Sequence, residues 1–138
     1  MADIILSAVY DAAQRAFSKE GSGSSRFEQD FINACNRSIN RINRDADMAT
    51  RVSRVTNTDD TVTGLNVDYE DVLFEGITYH LMKAGQKPAR GYEKQLPHVE
   101  ASFELGIAGI QTDIRNDQQD TNGSDDDTYS IIGLGKLG

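Results

Sequence analysis

Histidine, proline and cysteine are nearly missing from this chain, and basic residues are outnumbered. The sequence holds two histidines, two prolines and one cysteine among 138 residues. A single cysteine excludes an internal disulfide, and a reducing compartment is the simplest setting for it. The two histidines, His80 and His98, stand without a Cys, His or carboxylate at a metal-binding spacing, so no metal centre is expected. Lysine and arginine number 14 against 22 acidic residues, a formal charge of −8, which argues against general affinity for nucleic-acid phosphates. Long apolar runs are missing too. No membrane span is therefore expected, and the opening Met1-Ala2-Asp3-Ile4 lacks the basic stretch of a signal peptide.

What is present is helical periodicity. The 38% hydrophobic content suffices for one modest core and not for two. Residues 68–84 place Tyr69, Leu73, Gly76, Ile77, His80 and Leu81 on one helical face, with Asp68 as N-cap, Glu70 and Asp71 in the first turn, Lys83 in the last, and Gly85 as the stop. Gly76 inside a helix costs roughly 1 kcal/mol against alanine, so another helix is expected to cross there.

Two helices precede this one. Residues 2–19 carry the stripe Ile5, Val9, Ala12, Ala13, Ala16 and Phe17; residues 25–45 open on a Ser25 and Glu28 capping box and carry Phe27, Phe31, Ala34, Cys35, Ser38, Ile39 and Ile42. Cys35 lies within that apolar stripe, which points to inert packing and not to a nucleophile. A fourth, long helix is marked by Val99, Phe103, Ile107, Ile110 and Ile114, starting near Leu96 or kinking at Pro97 if it starts near Tyr92. Residues 50–56 and 61–65 are rich in Val and Thr and flank the turn-forming residues 57–60, which predicts a short β-hairpin leaning on the helices or on a neighbouring subunit. Leu73, Ile77, Phe103, Ile107, Phe31 and Ile39 are expected to meet in the core.

The fold class that follows is mainly α: a small bundle of about four helices with a short β-hairpin insertion and an extended C-terminal tail. Residues 1–116 form the helical domain, with the hairpin near 50–65, and residues 117–138 form an acidic linker and a docking tail. The apolar Tyr129, Ile131, Ile132, Leu134 and Leu137 follow that polar linker and are read as a partner-binding segment. Gly133, Gly135 and Gly138 match a dinucleotide spacing, but the sequence stops at the third glycine with no helix to receive a pyrophosphate, so no cofactor is expected. Asp125, Asp126 and Asp127 lack the alternating oxygen ligands and closing Glu of a calcium loop. No catalytic constellation emerges, and the chain does not read as an enzyme.

One charged feature opposes the overall balance. Arg37, Arg41, Arg44, Arg51 and Arg54 cluster between the second helix and the first expected strand, and the first three share a helical face. They are read as a partner-binding patch, because three like charges on one face repel unless something negative faces them. Three readings are open: a solvated face with ion pairs to neighbours, contact with phosphate, or contact with an acidic surface on an adjacent copy.

The order of elements resembles a known family. A helix, a loop, the helix Phe27-Glu28-Gln29-Asp30-Phe31-Ile32-Asn33-Ala34-Cys35-Asn36-Arg37-Ser38-Ile39-Asn40, a hairpin, the helix Asp68-Tyr69-Glu70-Asp71-Val72-Leu73-Phe74-Glu75-Gly76-Ile77-Thr78-Tyr79-His80-Leu81, a long last helix and an extended tail are similar to the head-to-tail connector adaptor (head-completion) proteins of tailed bacteriophages. The resemblance is one of architecture, covers most of residues 1–116, and includes no motif matched residue by residue. It implies a structural virion protein of the neck, assembled in the host cytoplasm, with about a dozen copies in a homo-oligomeric ring. The ring's partners would be the portal protein and a tail or neck protein. The family inserts its tail into the portal or a neighbour, and DNA would pass an acidic lining without sequence-specific binding. The Arg cluster fits an intersubunit or outer surface better than a channel wall. The alternative is a small helical regulatory module that binds nucleic acid or protein through the cluster from Arg37 to Arg54.

Overall fold

Helical periodicity carries through into a computed structural model that describes residues 2–18, 24–48, 50–92, 94 and 98–122. Among these residues are four α-helices, α1 (Leu6–Ala16), α2 (Ser25–Asp45), α3 (Glu70–Lys83) and α4 (Val99–Asn122). A two-stranded antiparallel sheet joins β1 (Asp3–Ile5) to β2 (Thr61–Asn66). The protein is thus mainly helical with one small antiparallel element. The tail beyond residue 122, including Tyr129, Ile131, Ile132, Leu134, Leu137, the glycine spacing and the run Asp125 to Asp127, lies outside the described residues.

The helix α2 has the expected bounds, and every residue of its predicted stripe is buried. Its cap is one position earlier than the capping box suggests: Ser24, in an extended conformation, accepts a 3.1 Å bond from the Phe27 amide. A single turn of 3-10 helix, Val67–Tyr69, leads into α3, and Asn66, not Asp68, supplies the capping oxygen, at 2.9 Å from the Asp68 amide. At the other end Gly85 adopts a left-handed φ of 100°, and the amides of Gly85 and Gln86 return to the carbonyls of Met82 and Leu81.

The first helix is shorter than its stripe implies. Residues 3–5 leave the helix for β1, so Ile4 and Leu6 turn inward while Ile5 is 58% exposed. Alternation at period two has replaced the helical period there, because the edge of β2 offers backbone partners that two consecutive β-branched residues suit. Residues 50–56 do not form the other half of a ladder. β2 pairs with β1 instead, with Ile4 opposite Val62 and Ile5 opposite Thr61, and the register slips around Gly64 at φ 96°.

Residues 50–56 are held in a different way. Asn43 accepts from the Val52 amide at 2.7 Å and donates to the Val52 carbonyl at 3.0 Å. Asn36 does the same for Val55, at 2.9 Å in both directions. Asn36 and Asn43 are two helical turns apart on α2, so two buried carboxamides stand in for a neighbouring strand. Only the Ser53 amide reaches β2, at the Thr63 carbonyl.

At the centre α3 packs against both α2 and α4. A Cβ added to Gly76 would fall 2.6 Å from both the Phe103 ring and the Ser38 hydroxyl, and one added to Gly106 would fall 2.7 Å from Val72. Each of α3 and α4 thus gives up a side chain where the other presents a large one. Another helix does cross at Gly76, and two do so. Leu73, Ile77, Phe103, Ile107, Phe31 and Ile39 all belong to one buried cluster.

The helix α4 begins after Pro97, at Val99, and extends to Asn122, beyond the boundary expected at residue 116. Propagating an existing helix costs little, so its last polar turns need no buried face. The end of α1 is tied to the loop after α3 by bonds from Ser18 to Lys87 and from Ala89 to Ala16, both 2.8 Å.

Candidate interaction surface

The Arg37, Arg41 and Arg44 row follows α2 at steps of four and three, so the helix itself aligns these side chains. Their environments differ. Arg41 is half-buried between α2 and α4, 3.4 Å from both Asp45 and Glu104, with its guanidinium 5.4 Å from the centre of the Phe103 ring. Arg44 is exposed and binds Asp45 through two nitrogens, at 2.7 and 3.3 Å. The Arg44 hydrogen bond, with help from Arg41, holds the Asp45 carboxyl below the usual carboxylate range. Two of the three arginines therefore meet acidic partners within the chain. Arg51 and Arg54 are exposed on the extended segment that Asn36 and Asn43 hold in place.

Arg37 points to a different place. It lines a cleft of about 280 Å3 between α2 and α3, with Asp30, Asn33, His80 and Lys83. His80 stands at the inner wall, its Nε2 buried without a hydrogen-bond partner among the described residues. Burial, and then the positive charges of Arg37, Arg41 and Lys83, push the His80 pKa down to about 4, with Glu100 opposing. The imidazole is neutral at pH 7. Asp30 is engaged at Oδ2 by Gln86 at 3.0 Å and by Arg26 at 3.8 Å. His98 is exposed at the start of α4, as its place in the sequence suggests. Cys35 is fully buried, and burial pushes its thiol up to about 12.

A second surface lies on the outside of α4. Its inner face buries Phe103, Ile107 and Ile110, while Ala101, Leu105, Ala108 and Thr112, at steps of four, three and four, face solvent. Leu105 is 75% exposed, the most open large apolar side chain among the described residues.

Sequence reasoning found the arginine row and placed His80 on the α3 face, but it missed the cleft that joins Arg37 to His80. The spacing of Arg37, Asn33 and Asp30 on one helix and of His80 and Lys83 on the other was visible; the crossing that brings them together was not. Asn36 and Asn43 were missed as well, although polar residues seven apart beside a buried stripe are a signal of an internal role. Among the described residues no three His, Cys, Asp or Glu side chains converge as a metal site, and no helix is long and apolar enough to cross a membrane. No known protein family, curated protein or solved structure matches the chain.

Proposed function

We propose that this chain is a structural adaptor of a tailed-bacteriophage neck, forming a homo-oligomeric ring between the portal and the tail through which DNA passes. The observation that carries the reading is the outer face of α4. Ala101, Leu105, Ala108 and Thr112 present a strip of small residues around one exposed leucine on a helix whose other side is already in the core, which suits close packing against another helix. A ring of identical copies supplies such a helix at every interface. The order of helices is in keeping with the architecture that the resemblance implies, although the antiparallel pair joins β1 to β2 and is not the hairpin near residues 50–65. The formal charge of −8 suits a passage that DNA must traverse without sticking.

The docking role of Tyr129, Ile131, Ile132, Leu134 and Leu137 belongs to the same proposal. Residues 123–128, between the end of α4 and this segment, span at most about 20 Å at about 3.3 Å per extended residue. The alternative, a binding module acting through the arginine cluster, draws support from exposed Arg37, Arg51 and Arg54, yet Arg41 and Arg44 already hold carboxylates of their own chain. Mass in solution, alone and with a portal ring, tests the choice. Closed oligomers, or a complex with the portal that needs residues 128–138, support the adaptor. A strict monomer that binds duplex DNA with a steep salt dependence supports the module.

A further inference from the structure

We infer that the cleft between α2 and α3, walled by Arg37, Lys83 and Asn33 beside His80, is a binding site for a single carboxylate presented on an acidic peptide segment. Three observations lead there. First, the cleft's own charges do not cancel: Arg37 and Lys83 carry two positive charges and Asp30 carries one negative charge, whose Oδ2 is also engaged by Gln86 and Arg26. The surplus is one positive charge, which matches a monoanion and disfavours a doubly charged phosphate placed beside Asp30.

Second, the donors suit a carboxylate. Arg37, Lys83 and Asn33 all line one space; a guanidinium can bind two carboxylate oxygens at once, and the Lys83 ammonium, 5.5 Å from the centre of the Tyr79 ring, stands at its edge. Third, a volume of about 280 Å3 accepts a side-chain head group; ligand sites for whole drug-sized molecules run from roughly 300 to 1,000 Å3. The His80 ring borders the same space, but its Nε2 is buried and out of reach of an occupant, so the ring serves as a reporter of charge entering the cleft and not as a ligand. Burial is the main cause of the depressed His80 pKa, and the positive charges nearby add to it. The charged groups that act on His80 are Arg37 and Arg41 from α2, Lys83 from α3 and Glu100 from α4, with Asp30 across the cleft.

The inference does not depend on the ring. An acidic peptide could belong to a foreign partner or to this chain, whose sequence contains the run Asp125, Asp126 and Asp127. Nuclear magnetic resonance of the His80 ring in the full-length protein distinguishes these sources, with His98 as the internal reference. A short peptide with one central Asp is added, beside the same peptide with Asn and with phosphoserine at that position. The Asp peptide is expected to move the His80 signals and raise the apparent His80 pKa by about one pH unit or more, and the Asn peptide to do neither. Arg37→Gln and Lys83→Gln should each weaken the Asp peptide about fivefold or more, with Lys94→Gln unchanged. If the chain's own acidic run fills the cleft, the His80 pKa starts high and falls when Asp125, Asp126 and Asp127 are all changed to Asn, which also supports the site. Equal responses to the Asp and Asn peptides with a low starting pKa, or no effect of either charge-removing variant, would overturn it. Tighter binding of the phosphoserine peptide would overturn the carboxylate assignment.

Discussion

Phe103 lies against Gly76 so closely that a Cβ on the glycine would come within 2.6 Å of the ring. On the ring, the Arg41 guanidinium sits 5.4 Å from the centroid. Replacing Gly76 with Ala ought to gain roughly 1 kcal/mol of helix propensity. The overlap with Phe103 and with Ser38, both fully buried, should cost about 1–3 kcal/mol and more than cancel that gain. Phe103→Ala should cost about 3–5 kcal/mol by leaving a cavity where three helices meet. Urea titration of both variants checks the pair; a stabilised Gly76→Ala protein would mean that the helices do not cross at that distance.

Asn36 and Asn43 make a second stability prediction. Each satisfies both backbone groups of one valine in residues 50–56, so Asn→Ala at either position strands a buried amide and a carbonyl. A loss of about 1–3 kcal/mol is expected for each substitution. Hydrogen exchange at Val52 should accelerate in Asn43→Ala and at Val55 in Asn36→Ala. Protection unchanged at both amides would refute the arrangement.

The His80 environment sets a pH dependence with a definite sign. Its folded pKa of about 4 lies below the ordinary value of 6.5, so the unfolded chain takes up a proton first as the medium is acidified. Stability contributed by the neutral imidazole is complete above pH 6.5, falls as the pH drops from 6.5 to 4, and is not lost further below that. His80→Gln should flatten this part of the melting-temperature profile. An unchanged slope between pH 6.5 and 4 would show that other groups account for it.

The arginine row separates assembly from folding. Changing exposed Arg37 and Arg44 to Glu alters charge at the surface alone, so little effect on folding is expected. Under the adaptor reading, the pair should reduce oligomer formation at physiological salt far more than it lowers the melting temperature. Sedimentation and melting of the same preparation measure both quantities, and intact assembly would remove these arginines from the interface.

Cys35 offers a simple check on the core. A thiol pushed up to about 12 by burial should resist alkylation in the native protein at pH 8 and react at the rate of unfolding. Rapid native labelling would place it outside the stripe of α2.

These results show where the sequence was legible. The bounds of α2 and the crossing at Gly76 could be read because a long stripe and a glycine inside a helix are local signals. The end of α3 at Gly85 was equally plain. The partner of β2 was not, since Val and Thr in residues 50–56 have the composition of a strand and nothing nearby reports that Ile4 will take the place. The α4 boundary was misjudged for a related reason: an acidic composition describes how little a segment can bury, while a growing helix asks little burial of its last turns. For the interaction surface, the arginine spacing was legible and its division was not. Whether Arg41 meets Glu104 depends on where α4 lies, more than sixty positions along the chain.

The pairing of Ile4 with Val62 ties the first strand to one that follows it by about sixty residues. Closing a loop of that length carries an entropic cost that rises with the logarithm of its length, whereas the cap of α2 and the turn into α3 close over a few residues. The order of assembly follows from that difference. On a ribosome, β1 emerges first and must wait for α2, residues 50–56 and β2 before it has an edge to join. Ile4, buried beside Val62, is thus made well before the strand that covers it.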